Sequence, residues 1–178
     1  PLKFSIMDYY KIKLTGIKDG VYINSFEIRD EFFETFSQTE ISSADIIAKT
    51  CLIKKDKKTT LEVEINGVIN KIPCDICTEE IQVPISSRTS SIIQESGKEE
   101  ATEEEIIYIQ ENKNDLCIKN HLYEMIILAI PTKRQHQLNS INKDECNKEM
   151  VNLINKYSIK TKKIADPRWE ALKDIKLK

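Results

Sequence analysis

Two cysteines, Cys74 and Cys77, stand two residues apart in the stretch KIPCDICTEEIQVP, between two apolar runs. A CxxC turn presents two sulfurs on one side of the chain, at a separation that a single metal ion can bridge. The same spacing occurs in redox dithiols, and a turn between strands can also contain two chemically inert cysteines. Three interpretations are therefore open: half of a zinc site, a redox pair, or a structural turn.

A tetrahedral zinc ion would need two further ligands, and the remaining thiols and imidazoles are Cys51, Cys117, His121, His136 and Cys146. Cys117 and His121 are four residues apart on a predicted helix, but that helix needs this region for packing. His136 and Cys146 lie in a predicted loop and at the start of the next helix, where the backbone is free to reach the turn. Three thiols and one imidazole are an acceptable set for zinc.

Other catalytic patterns are scarce. No glycine-rich phosphate loop, nucleophile elbow or HExxH helix occurs, and the chain has four glycines in all. Glu103, Glu104 and Glu105 are consecutive, so they do not form a facing carboxylate pair. The residues after Cys77 alternate like a strand, unlike the strand, CxxC and helix order of a thioredoxin-type redox site. We therefore expect a protein that is not an enzyme.

Strands are predicted on both sides of the CxxC turn. Apolar residues alternate with polar ones over 61–65 and again over 81–85, which places the cysteines at the tip of a hairpin. Asn66-Gly67 predicts either a tight hairpin turn or a bulge within one long strand. Cys51 falls among strand residues, where we expect a buried small apolar group.

The N-terminal segment predicts a hairpin followed by a short helix. Residues 10–14 and 21–26 alternate on either side of a turn at 18–20. Asp30 is placed to cap the helix that follows. The phenylalanines of that helix fall on one face at helical spacing, which is typical of core packing: Phe32, Phe33 and Phe36.

Helices dominate the prediction for the C-terminal half. After a short strand at 106–109, a helix is expected from Asn114 or Asp115 to Pro131, with His121 half-exposed at the margin of its apolar face. That face comprises Ile118, Leu122, Met125, Ile126 and Ala129. A second helix, 144–157, is predicted to bury Met150, Val151 and Ile154. Asp166-Pro167 is a helix-start signal, and the short helix after it would carry Trp169, Leu172 and Ile175 on one side.

These patterns predict an α+β fold with an antiparallel, strand-rich N-terminal half, a CxxC hairpin and helices in the C-terminal half. We expect one domain over residues 1–157, containing an acidic mobile connection at about 95–105, and a basic tail over 158–178. The net charge of −2 conceals a local −5 over 95–105 and a local +5 over 156–178. The tail could attract a polyanion, although a solvated helix face would have the same composition.

Location can also be predicted from composition. The longest apolar run, Met125 to Pro131, falls far short of the about 20 residues needed to span a bilayer. The first residues lack the pattern of a signal peptide. We therefore expect a cytoplasmic protein, in which cysteines serve as thiols or metal ligands rather than disulfides.

Three features in this order resemble the YceD family, the large ribosomal RNA subunit accumulation proteins of bacteria and plastids. They are the stretch PCDICTEEIQVPI after a strand-rich half, the acidic connection leading to LYEMIILAIPTKRQH, and the terminal DPRWEALKDIKL. The last is the most specific. The resemblance spans nearly the whole chain, and the opening LTGIKDGVYINSFEIRDEFFETF is similar to the form found in the Bacteroidota branch.

The resemblance implies a non-enzymatic factor in large ribosomal subunit biogenesis, needed for accumulation or processing of the 23S ribosomal RNA. Cys74 and Cys77 match the family's CxxC, and His136 and Cys146 match a histidine and a cysteine that follow the helix-ending proline. Other members carry a further cysteine-rich turn before the terminal motif. Here Cys146 stands alone, which leaves a single four-ligand zinc set.

The expected partner is large-subunit ribosomal RNA or a pre-ribosomal particle, with no membrane and no small-molecule substrate. Basic groups bind phosphates and an indole can stack on a base; the candidate contacts are Lys133, Arg134, Lys160, Lys162, Lys163, Arg168 and Trp169. Trp169 could instead anchor the tail to the body. The alternative function is a protein-interaction module that contacts a ribosomal protein or assembly factor through an exposed sheet edge, without touching RNA.

Overall fold

The computed structural model describes residues 9–56, 58–95, 105–109, 114–141 and 145–158. Most of the predicted acidic connection and nearly all of the predicted tail lie outside these ranges. Seven strands are present in the described part: β1 (Lys11–Lys13), β2 (Gly20–Ile28), β3 (Ser43–Lys55), β4 (Lys58–Pro73), β5 (Glu80–Glu95), β6 (Glu105–Ile109) and β7 (Asp115–Cys117). The helices there are α1 (Asp30–Phe33), α2 (Lys119–Ala129), α3 (His136–Asn139) and α4 (Lys148–Tyr157).

The strands form a five-stranded sheet in the order β2-β3-β4-β5-β6 and a separate pair of β1 with β7. Neighbouring strands are antiparallel except for β5 and β6, which run parallel. The strand-rich N-terminal part and the helices after residue 118 confirm the predicted α+β class. The CxxC turn joins β4 to β5, so the predicted hairpin around it is also confirmed.

The predicted N-terminal hairpin is wrong. β1 pairs with β7, with Ile12 opposite Leu116, whereas β2 pairs with β3. Alternation identified both segments as strands, but it carries no information about which strand each one joins. Asp30 does not cap the helix that follows; its Oδ1 accepts a hydrogen bond from Ala44 N at 3.1 Å. The aromatic core was predicted correctly for Phe32 and Phe33, each about 1% exposed.

β4 is one continuous strand that passes through Asn66 and Gly67 in regular register. The predicted hairpin turn is therefore wrong, and the predicted long strand is present but without a bulge at these two residues. Its irregularity lies further along, between Ile69 and Ile72, where two residues oppose one residue of β5. An extra residue reverses the alternation of a strand. Consequently Ile72 and Cys74 are buried, like Leu61, Val63, Ile65 and Ile69 earlier in the strand.

The core lies on one face of the large sheet, against which α2 packs through Leu122, Met125 and Ile126. The predicted start of this helix is wrong, because residues 115–117 form β7 and the helix begins at Lys119. Cys117 is therefore an exposed strand residue and does not share a helix with His121. His121 is partly buried, as predicted, with its Nε2 3.2 Å from Thr89 Oγ1.

Two further expectations need correction. Cys51 is only partly buried, because it alternates with the core residues Thr50 and Leu52 of β3 and takes the opposite face. Helix α4 buries none of its residues: Met150 and Val151 are partly exposed and Ile154 is 42% exposed. None of the helices within the described ranges is long and apolar enough to cross a membrane.

Candidate metal centre

Residues Cys74 to Cys77 form a tight turn, called the knuckle below, between β4 and β5. Thr78 N donates to Cys74 O at 3.0 Å, and Cys74 N donates to Glu79 O at 2.9 Å. Thr78 closes the turn in the left-handed region, with φ of 62°. Ile76 N also points at the sulfur of Cys74, at 3.4 Å. Hydrogen bonds within the turn thus set the positions of Cys74 and Cys77 without contributions from residues elsewhere in the chain.

The other half of the site comes from the segment after α2. Ile130 is extended before Pro131, which ends the helix as predicted, and the chain then turns back to the knuckle. His136 is the first residue of α3, and Cys146 lies just before α4. After α3, Ile141 N donates to Gln82 O of β5 at 2.9 Å. This hydrogen bond ties the segment to the sheet beside the β4 bulge.

Cys74, Cys77, His136 and Cys146 converge at one point, and their ligand atoms all lie within 4.8 Å of one another. Cys74 Sγ is 3.8 Å from Cys146 Sγ, and Cys77 Sγ is 3.2 Å from His136 Nε2. Cys74, Cys77 and His136 are buried, and Cys146 is partly buried. These four residues, called the cysteine–histidine cluster below, could hold a metal ion, and the donor set is compatible with zinc.

The local environment shifts the pKa values of the Cys74 and Cys146 thiols in opposite directions. Burial disfavours the Cys74 thiolate, but hydrogen bonds from the backbone N–H groups of Cys77 and Ile76 outweigh it and lower the Cys74 pKa. Burial, reinforced by the adjacent Cys74 sulfur, raises the pKa of Cys146 to about 11. The knuckle thus favours a thiolate at Cys74, whereas the surroundings of Cys146 disfavour one.

A clamp between Asp75 and Arg134 holds the two halves together. Asp75 N donates to Arg134 O at 2.8 Å, and Arg134 N donates to Asp75 Oδ2 at 2.7 Å. The guanidinium adds a contact from Nε to Asp75 Oδ1 at 3.2 Å and one to Glu40 Oε2 at 2.7 Å. The hydrogen bond to Glu40 raises the pKa of Arg134 against the effect of its burial. His136 follows Arg134 by two residues, so the clamp fixes the position of the backbone that leads into His136.

Glu79 and Asn147 form a second link. Glu79 Oε2 lies 3.9 Å from both Cys77 Sγ and His136 Nε2, while Glu79 Oε1 accepts from Asn147 Nδ2 at 3.3 Å. Asn147 also caps α4, because its Oδ1 accepts from Glu149 N and Met150 N. The start of α4 is therefore connected both to Cys146 and to the knuckle.

Two of the seven predicted RNA or partner contacts lie within the described residues. Lys133 is exposed, but Arg134 is engaged by two carboxylates and its side chain is 23% exposed. The remaining candidates lie outside the described residues: Lys160, Lys162, Lys163, Arg168 and Trp169. No sequence pattern indicated a role for Glu40, Glu79 or Asn147. Asp75 was detectable only as a residue inside the CxxC motif.

Comparison with protein-family models matches residues 61–176 to the model described as "Large ribosomal RNA subunit accumulation protein YceD". The match begins in β4 and contains all four residues of the cysteine–histidine cluster. It leaves out residues 1–60, so it does not bear on the predicted Bacteroidota-like opening. No curated protein and no solved structure matches the chain.

Proposed function

The chain belongs to the YceD family of large ribosomal RNA subunit accumulation proteins, and we propose that it is a non-enzymatic factor in large ribosomal subunit biogenesis. In this role it supports accumulation or processing of the 23S ribosomal RNA in the cytoplasm, by binding the RNA or pre-ribosomal particles. The family match over residues 61–176 is the observation that carries the proposal. The absence of a catalytic motif from the sequence agrees with it.

Zinc at the cysteine–histidine cluster is part of the proposal, as a structural ion. Two sulfurs about 2.3 Å from a tetrahedral zinc ion are roughly 3.8 Å apart, and Cys74 Sγ and Cys146 Sγ are separated by 3.8 Å. Three thiols and one imidazole complete a closed site with no position for a substrate. A bound zinc ion would supply the positive charge that favours the Cys146 thiolate and would join the sheet to the C-terminal helices.

Zinc content measured on the purified protein tests this part. We expect one zinc ion per chain, and loss of most of it in Cys77→Ser, because a buried ligand is removed from a four-ligand set. Cys51→Ser is the matched control, since Cys51 lies on β3 outside the cluster. Metal-free folded wild-type protein would contradict the zinc assignment, as would equal zinc in both variants.

RNA contact is proposed for basic residues from two segments of the chain. Lys133 stands on the surface next to the Asp75–Arg134 clamp, and Lys160, Lys162, Lys163 and Arg168 follow α4 in the sequence. Ammonium and guanidinium groups bind phosphates without reading the sequence. We give Arg134 a smaller share than its neighbours, because Glu40 and Asp75 already neutralise its charge.

Crosslinking in cells, followed by sequencing of the attached RNA, tests RNA contact directly. We expect crosslinks to large-subunit ribosomal RNA, and an altered profile of large-subunit particles in sedimentation of depleted cells. Removing residues 159–178 should weaken co-sedimentation of the protein with these particles. Unchanged sedimentation of the shortened protein would remove the tail from the proposal while leaving the role of the family intact.

The exposed edge strand β2 supports the alternative function, in which the protein contacts a partner protein without binding RNA. This strand lies at one end of the five-stranded order, and Val21 and Ile23 are 61% and 73% exposed on it. An edge strand with exposed apolar residues can accept an extended segment of a partner, such as a ribosomal protein or assembly factor. Crosslinks to protein alone, with none to ribosomal RNA, would favour this alternative.

A further inference from the structure

Helix α4 carries an apolar stripe that the rest of the described structure does not cover. Leu153, Ile154 and Tyr157 are 47%, 42% and 73% exposed, and they continue along the helix from Met150, which packs against the edge of the core. Their spacings of three and four residues place all four side chains on one side of the helix. The stripe therefore begins at the core and runs outward to the end of α4.

A helix of this kind needs a partner for its apolar side. α4 has ten residues and buries none of them, whereas isolated helices shorter than roughly 12–15 residues are marginal in water. The Asn147 cap and Cys146 hold its first turn, but they contribute nothing to its outer end. Local contacts there, such as the hydrogen bonds of Ser158 to Ile154 O, leave the apolar stripe exposed, so covering the stripe would add stability to this end of the helix.

The residues directly after α4 contain a second apolar pattern of matching size. Asp166-Pro167 predicts a helix start, and Trp169, Leu172 and Ile175 follow at intervals of three. Residues 158–166 separate this pattern from Tyr157, a connection long enough to reverse the chain direction between antiparallel helices. Both helices would then span about 15 Å, at 1.5 Å per residue.

We propose that the apolar stripe of α4 is the docking site for residues 167–177 of the same chain, with Trp169 as the anchoring side chain. A tethered segment competes at a millimolar effective concentration, which favours it over a second copy of the chain or another protein. Docking would also leave Lys160, Lys162 and Lys163 in the exposed connection. The proposal requires neither zinc nor RNA binding, so it can fail while the proposed function stands.

Fluorescence of the full chain tests the docking, because Trp169 is the single tryptophan. We expect blue-shifted emission and slow acrylamide quenching in the wild type, unchanged on dilution. Leu153→Lys with Tyr157→Lys should shift the emission to the red and raise the quenching constant several-fold. Lysine is tolerated near a helix C-terminus, so α4 itself should persist, which far-UV circular dichroism verifies. Leu172→Lys with Ile175→Lys should give the same shift from the other side.

Val21→Lys with Ile23→Lys is the matched control, since these residues are similarly exposed but lie on β2, and its emission should equal that of the wild type. Docking on α4 is contradicted if the wild-type tryptophan is already fully accessible, or if the α4 variant leaves its emission unchanged. An equal shift in the β2 variant would place the anchor elsewhere. If Trp169 becomes accessible on dilution, the apolar stripe binds a second copy of the chain and not the segment of its own chain.

Discussion

Asp75 connects the two halves of the cysteine–histidine cluster through both its backbone and its carboxylate. Asp75 N donates to Arg134 O at 2.8 Å, and Arg134 N donates to the Asp75 carboxylate at 2.7 Å. The guanidinium Nε of Arg134 adds a third contact to this carboxylate at 3.2 Å. Because the knuckle and the residues before His136 are distant in sequence, their alignment would otherwise cost conformational entropy at the moment of metal binding. In the proposed zinc site, Asp75 would therefore affect zinc affinity by positioning the ligands rather than by ligation.

Asp75→Ala is expected to weaken zinc binding by about tenfold, the lower end of the effect of outer-shell substitutions. The measurement is a competition titration with a chromophoric chelator. Glu40→Ala serves as the control, because it removes one contact to Arg134 from a carboxylate that is 71% exposed, and exposed ion pairs contribute little. Equal zinc affinity in the two variants would contradict the positioning role of Asp75.

Among the elements, β4 depends on a glycine in the middle of a long strand. A Cβ on Gly67 would lie 2.5 Å from the Cα of Ile46 on β3, a contact with backbone that no side-chain rotation relieves. Gly67→Ala should therefore destabilise the protein by about 1–3 kcal/mol. Urea unfolding should show a lower midpoint at an unchanged slope. Ser86→Ala, on the neighbouring β5 and exposed, should stay within about 0.5 kcal/mol.

Metal removal should loosen α4 more than β4, because only α4 depends on the cysteine–histidine cluster for its position. α4 is held by Cys146 and by the Asn147–Glu79 contact, whereas β4 is buried between β3 and β5. Chelation should therefore speed hydrogen exchange at the amides of α4, such as Val151, more than at Val63 or Ile65. Exchange followed by mass spectrometry resolves the two regions. Equal loss of protection in both would contradict a local role for the metal.

How far the sequence predicts these elements depends on the range of the interaction involved. Alternation and helical spacing located β4, β5 and most of α2, since those signals are local. The pairing of Ile12 with Leu116 and the strand at 115–117 were missed, because partner choice is decided by distant residues. The cluster was predictable because cysteine and histidine are scarce here and few sets satisfy one ion. Its supporting residues Glu40, Glu79 and Asn147 are common surface types, whose roles emerge only from the fold.

At the scale of the whole molecule, charge is separated along the chain. Six glutamates and one lysine occupy residues 95–105, whereas eight basic and three acidic residues occupy 156–178. The net charge of −2 is too small to attract or repel RNA strongly, so the proposed attraction of RNA would depend on the local positive segment. RNA affinity should accordingly fall as salt increases, with a slope set by the phosphates that this segment contacts.

Replacing Lys160, Lys162 and Lys163 by glutamate tests that segment, with binding to large-subunit ribosomal RNA measured over a range of salt concentrations. Loss of three phosphate contacts should reduce the slope of log affinity against log salt by about 2, at roughly 0.7 per contact for single-stranded RNA. The same change at Lys13, Lys18 and Lys55, exposed lysines of the body, should leave the slope nearly unchanged although it alters the net charge equally. A similar reduction in both variants would mean that overall charge, and not the segment after α4, governs RNA binding.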